Sequence, residues 1–156
     1  MGQSYFFWSP TDQMPGHVFE PGNHGRVMRT YRHLTADATN GWKLAIEYLM
    51  ERVRSMYAPD KPSRLLCAYA FLSESDAMSR RVSDASSKLY EVELVAPDLP
   101  SHIADFDLYN VICKSDPSQP FIPKTEMLAR QYWDGQINGV RELLTLSAMR
   151  IVKRVA

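Results

Sequence analysis

Cysteine is scarce in this chain, neither sign of charge is in excess, and no apolar run is long; each lack removes a class of protein. The two cysteines, Cys67 and Cys113, are far apart and each lies in an apolar stretch. That reads as two buried thiols in a reducing compartment, with a disulfide as the minority alternative. Lys and Arg (18) balance Asp and Glu (18), giving zero formal net charge and a pI near 6.9. No global attraction to nucleic acid or an anionic membrane follows from that balance, so neither partner is expected. No stretch reaches the roughly 18 apolar residues of a spanning helix, and the N-terminus lacks the basic flank and apolar core of a signal peptide. The expected location is cytoplasmic. Phe6 stands where a myristoylation motif wants Ser or Thr, so lipidation is not expected either.

Chemical signatures are missing too. There is no Walker loop, no Gly-x-Gly-x-x-Gly and no Gly-x-Ser-x-Gly elbow. His17, His24, His33 and His102 have no metal-ligand spacing with one another or with the cysteines, and no metal is expected. His17 and His24 share one glycine-rich loop, where a ligand or acid-base role stands against the plainer reading of surface histidines.

What is present is a globular composition, 45% hydrophobic and 23% charged over 156 residues, long enough for one domain spanning 1–156. Ser4 to Trp8 reads as a short aromatic strand stopped by Pro10, and Gln13 to Arg29 as a loop of tight turns. Trp42, Ile46, Leu49, Val53 and Met56 form one helix face between Ala36 and Met56, with Thr35 or Asp37 as its cap. Arg64 to Leu72 reads as a strand, and Ser73-x-x-Asp76 as the cap of a short helix through Met78 and Val82. Lys88 to Val95 alternates as a strand with one wet face. Ile103 to Cys113 favours helix, Ser115 to Pro123 is a loop, Thr125 to Trp133 is a helix, and Arg141 to Val155 is one bent strand or two short ones. The class is α+β.

Several features stand in a fixed order: the loop ending near Arg26, Lys61-Pro62-Ser63-Arg64, Ala70-Phe71, Leu89 to Leu94, Tyr132-Trp133-Asp134-Gly135 and Glu142-Leu143-Leu144. In that order the chain resembles the ADP-ribosyltransferase-like superfamily, in particular a family of small bacterial and phage domains.

The resemblance implies split antiparallel sheets with flanking helices and NAD, as substrate, in the cleft between them. It implies cleavage of the nicotinamide–ribose bond and transfer of ADP-ribose to a macromolecular acceptor, or NAD cleavage of the toxin type. Arg64 or Arg26 would then hydrogen-bond phosphate oxygens. Tyr69, Tyr132 or Trp133 would stack on the nicotinamide ring. Glu142 would bind a ribose hydroxyl and stabilise the oxocarbenium-like charge as nicotinamide leaves.

Each residue also has a plainer reading. Arg64 closes a sheet edge against Asp60 or Glu91, Tyr132 and Trp133 plug the core, Glu142 is an exposed neighbour of Arg141, and Arg26 decorates a loop. One departure from the superfamily stands: its usual first-strand arginine or histidine is missing from Tyr5, Phe6, Phe7 and Trp8, so Arg26, Arg29 or His17 would have to substitute. That departure supports the alternative of a binding module that keeps the fold and has lost the chemistry. A weaker reading is a nucleic-acid contact through Arg26, Arg29 and Arg32 with Tyr31.

Overall fold

The computed structural model describes residues 2–32, 38–80, 86–114 and 116–156. Aromatic alternation builds the first strand, β1 (Tyr5–Ser9). Tyr5 and Phe7 pack with Phe19 and Leu94, while Phe6 and Trp8 pack with Phe71, Ala77 and Leu89. Successive side chains of a strand point to opposite faces, so β1 is covered on both sides and sits inside the sheet.

The remaining strands are β2 (Val18–Phe19), β3 (Ala68–Phe71), β4 (Lys88–Leu94), β5 (Ser101–Asp105), β6 (Arg141–Thr145) and β7 (Met149–Arg154). Among the described residues they form one antiparallel sheet in the order β2-β7-β4-β1-β3-β6-β5. The junction of β1 with β3 is the register pair Phe6↔Phe71, whereas β1 and β4 share five pairs from Tyr5↔Val92 to Ser9↔Lys88. The sheet therefore divides at a narrow seam into β2-β7-β4-β1 and β3-β6-β5.

Three helices cover the β3-β6-β5 half: α2 (Ala38–Tyr57), α4 (Phe106–Cys113) and α5 (Phe121–Trp133). Ile46, Met50 and Val53 of α2, Ile112 of α4, and Ala129, Tyr132 and Trp133 of α5 close with Leu144 into the largest core cluster. Trp42 is partly buried there and Met56 is 60% exposed, so the apolar stripe read from sequence is correct in its middle and ends one turn early. Two short helices, α1 (Asn23–Arg29) and α3 (Glu74–Ser79), flank the seam strands. Ser73 Oγ accepts the Asp76 N–H at 3.1 Å, the expected cap. The expected α2 caps, Thr35 and Asp37, and the expected reach of α3 to Val82 lie outside the described residues.

Other elements differ from the sequence reading for identifiable reasons. The glycine-rich segment is not all loop: turns at Gly16 (φ 85°) and Gly22 (φ 96°) bracket β2, and α1 follows. Gly25 lies against the Leu65 carbonyl, where a Cβ would come within 1.7 Å of the oxygen, so α1 docks closely on the chain before β3. The Ile103–Cys113 segment splits. Asp105 ends β5 and its Oδ1 accepts the N–H groups of Asp107 and Leu108, starting α4. Helical periodicity ran through that cap and hid the strand. The α5 helix begins at Phe121 rather than Thr125, with Pro123 in the first turn, where its missing N–H leaves no helical bond unmade. Arg141 to Val155 makes two strands. No helix among the described residues is long and apolar enough to cross a membrane.

Candidate functional site

Arg64 is not in a strand. It sits in a turn, with Leu66 N–H bonded to Ser63 O at 2.9 Å, before β3 begins at Ala68. The turn is fastened to α2 by charged residues one helical turn apart. Glu51 Oε2 accepts the Ser63 hydroxyl at 2.7 Å, and Arg54 donates to Lys61 O at 2.8 Å while pairing with Glu51. Glu47, one turn earlier on the same face, then receives Arg64.

The Arg64 guanidinium is buried, at 5% exposure, and its partners are neither Asp60 nor Glu91. Nε lies 3.2 Å from both Glu47 oxygens. Nη1 donates to the Tyr132 hydroxyl at 2.5 Å and to Glu142 Oε1 at 3.3 Å, and Tyr132 donates onward to Glu142 Oε1 at 2.7 Å. The Tyr109 ring stacks beneath the guanidinium, its centroid 3.8 Å from Cζ, and the Tyr109 hydroxyl donates to Glu47 Oε1 at 2.5 Å. The Tyr69 hydroxyl donates to the Arg64 carbonyl. Five side chains, one each from α2, α4, α5, β3 and β6, thus enclose the buried cation of the turn between two carboxylates.

The two carboxylates differ electrostatically. Burial pushes both up, but at Glu47 the Arg64 charge, His24 and the Tyr109 hydroxyl outweigh it and hold the group at about 2. At Glu142 burial wins over Arg64 and Tyr132, with the Glu47 charge adding to it, and the carboxyl sits above its ordinary range. Opposed shifts in neighbouring carboxyls separate a permanent anion from a group able to hold a proton. Burial also raises the Tyr132, Tyr109 and Tyr69 phenols and pushes the Cys67 thiol up to about 12, so none of these is a ready nucleophile.

Three cavities meet at Tyr69, near the narrow β1–β3 junction of the sheet. One of about 580 Å³ is lined by Glu142, Tyr69, Phe106, Tyr109, Trp42 and Lys43. A second, of about 500 Å³, runs past His24 to His17, Gln13, Phe7 and Phe19. A third, of about 180 Å³, reaches Glu142 from the β1 side between Phe6, Phe71, Phe106 and Arg80. Arg64 and Glu142 open onto the same cavity. His24 Nε2 is 3.0 Å from Glu47 Oε1 but off the line of a hydrogen bond, and this buried nitrogen has no hydrogen-bond partner.

Of the residues singled out in the sequence, Arg64, Tyr69, Tyr132 and Glu142 come together. Tyr132 is fully buried and supports Glu142 rather than offering a stacking wall. Two candidates fall away from the cleft. Trp133 is 1% exposed in the core, donating to Met50 O at 2.9 Å and stacked on His102. Arg26 is exposed and binds Asn23 Oδ1 at 2.8 Å. Glu142 is buried beside Arg64, and is not an exposed neighbour of Arg141. Arg80 forms a two-pronged pair with Asp107 at 2.6 and 2.7 Å.

Sequence reasoning missed Glu47, Tyr109 and the docking of His24. The available signal was the run Glu47, Glu51, Arg54, a charged stripe at steps of four and three beside the apolar stripe. No cluster of three or more His, Cys, Asp or Glu among the described residues is arranged to hold a metal ion.

These features define an α+β protein with one seven-stranded antiparallel sheet, where split sheets were expected, and a buried carboxylate–guanidinium–carboxylate group beneath an aromatic cleft. Residues 15–156 match the family described as Protein of unknown function (DUF2441), and the chain belongs to that family. No curated protein matches the chain.

Proposed function

We propose that the cleft binds NAD and breaks the bond between nicotinamide and ribose, passing ADP-ribose to a macromolecular acceptor or to water. The observation that carries this reading is the convergence of Glu142 and Tyr69 on one cavity beside the narrow β1–β3 junction of the sheet. Tyr69 is half-buried and borders all three cavities, the position of a wall for a planar ring.

In the proposed reaction the C1′–N bond breaks and its electron pair leaves with nicotinamide. Glu142 accepts a ribose hydroxyl and opposes the positive charge growing at C1′. An acceptor lone pair then closes on C1′, and the acceptor loses its proton. Arg64 is spent on Glu47 and Glu142, so it holds the carboxylate instead of binding phosphate. Charge for the diphosphate would come from Lys43, His24 or His17, which border the larger cavities. The two free cysteines fit action in the cytoplasm.

Incubation with NAD labelled in the ADP-ribose portion, alongside a Glu142→Gln variant, tests the reading. Nicotinamide release, with or without label transfer, is expected from the wild type and a loss of at least about 100-fold from the variant. No release from the wild type overturns it.

The mutual engagement of Arg64 and Glu142, both at 5% exposure, favours a second reading: a module that binds the nucleotide without cleaving it. Calorimetric binding of NAD with no nicotinamide released would decide for that reading.

A further inference from the structure

Glu47 lies behind the group that faces the cleft, and no ligand-facing role explains it. It is 1% exposed in the middle of a helix, where a charge is costly unless matched. Its carboxylate is met by three side chains: by Arg64 Nε at 3.2 Å on both oxygens, and on Oε1 by the Tyr109 hydroxyl at 2.5 Å and His24 Nε2 at 3.0 Å. The same guanidinium turns its Nη1 to Tyr132 and Glu142.

We propose that Glu47 is a positioning residue of the cleft: it fixes the Arg64 guanidinium between α2 and β6 and, by taking up part of its charge, governs the charge that Glu142 presents to a ligand. This rests on reading Glu142 as the carboxylate of the cleft.

The argument is one of shared charge. A guanidinium facing a single carboxylate stabilises that carboxylate fully; facing two, it divides its effect, and the two anions also repel. Glu47 has the greater share, with the Tyr109 and His24 contacts added. Glu142 has one guanidinium nitrogen at 3.3 Å and the neutral Tyr132 hydroxyl. The other titratable and charged groups around this pair are Tyr69 from β3, Cys67 ahead of it and Cys113 at the end of α4, whose acidities burial lowers, and Lys43 and Arg80, which line the cavities that Glu142 borders. Removing the Glu47 charge while keeping its shape would return the whole guanidinium charge to Glu142, which would then lose its proton at lower pH.

The test is a carbon-detected NMR titration of protein labelled at the glutamate Cδ, with the Glu142 signal assigned through Glu142→Gln. In Glu47→Gln the Glu142 titration is expected to move to lower pH than in the wild type, while in Glu47→Asp, which keeps the charge, it stays near the wild-type position. An unmoved titration in Glu47→Gln, or an equal move in both variants, overturns the proposal. If Glu47→Gln does not fold, the wild type still carries the test. The Arg64 Nε–H, held by both Glu47 oxygens, must give a slowly exchanging resonance on both sides of the Glu142 titration, and a rapidly exchanging one overturns the clamp. None of these readouts needs NAD, so a protein inactive on NAD sinks the function proposed above and leaves the Glu47 proposal to be judged by the titration.

Discussion

Arg64 and Glu142, 78 positions apart in the chain, meet at 3.3 Å in the interior, and the Tyr132 hydroxyl bridges them at 2.5 and 2.7 Å. A turn, a helix and a strand are tied at this point, so the group carries both stability and the shape of the cleft floor.

Arg64→Ala leaves Glu47 buried without its principal counter-charge. Breaking a buried pair from one side costs about 3–5 kcal/mol, far more than the pair contributes over an apolar replacement. Urea denaturation should show a loss of that size for Arg64→Ala and a smaller one for the double variant Arg64→Met with Glu47→Leu. Equal losses would mean that the charge pair is not the source.

Acid should act on the two carboxyls in opposite senses. Glu47 drops from 4.5 to about 2 on folding, so its contribution is present above pH 4.5 and lost as pH falls toward 2. The size is on the order of 3 kcal/mol. Glu142 is raised on folding, so its contribution is present below pH 4.5 and lost as pH rises through its folded value. Stability measured from pH 2 to 6 should therefore rise more steeply in Glu142→Gln than in the wild type. The reverse order would refute the assignment.

Tyr132→Phe removes one hydroxyl that both accepts from Arg64 and donates to Glu142. A loss of about 1–3 kcal/mol in thermal unfolding is expected, the cost of leaving buried partners unmet. A stability change within 0.5 kcal/mol, roughly that of a surface substitution, would show that the bridge is not formed.

Gly25→Ala must push α1 away from Leu65, because the new methyl meets backbone that cannot rotate aside. Destabilisation of about 1–3 kcal/mol is expected. Hydrogen exchange should rise at Gly22 N–H, which bonds Cys67 O at 3.1 Å. Unchanged protection there would mean that α1 moves as a unit with the turn.

On the proposed function, in which the cleft binds NAD, Tyr69 and Trp133 should separate binding from folding. Trp133→Phe loses the bond to Met50 O and core volume, and should cost about 1–3 kcal/mol while leaving NAD affinity as in the wild type. Tyr69→Ala should weaken NAD binding in calorimetry by at least about tenfold, the weight of one stacked ring. A stronger binding loss in Trp133→Phe than in Tyr69→Ala would contradict the cleft as drawn.

Local patterns carried much of the fold. The aromatic run of β1, the alternation of β4, the Ser73 cap and the middle of α2 are short-range signals, and each formed as read. Errors fell where a local pattern was overridden by a neighbour in space or by a cap. Asp105 cut a helical period in two, and β2 became a strand because β7 was there to pair Val18 with Arg150. Trp133 was legible as a large aromatic beside Tyr132, but helix rotation sent one ring toward Met50 and the other toward Glu142.

By itself the sequence determined the α+β class, the strands built on period-two alternation, and the residue types of a charged and aromatic site, because those follow from backbone geometry and burial over a few residues. Which groups meet was decided by the tertiary structure alone. Glu47 belongs with Arg64 only because α2 lies against the turn before β3, and Glu142 differs from Glu47 because one guanidinium, buried out of water, must serve both while Tyr109 and His24 add their contacts to Glu47 alone.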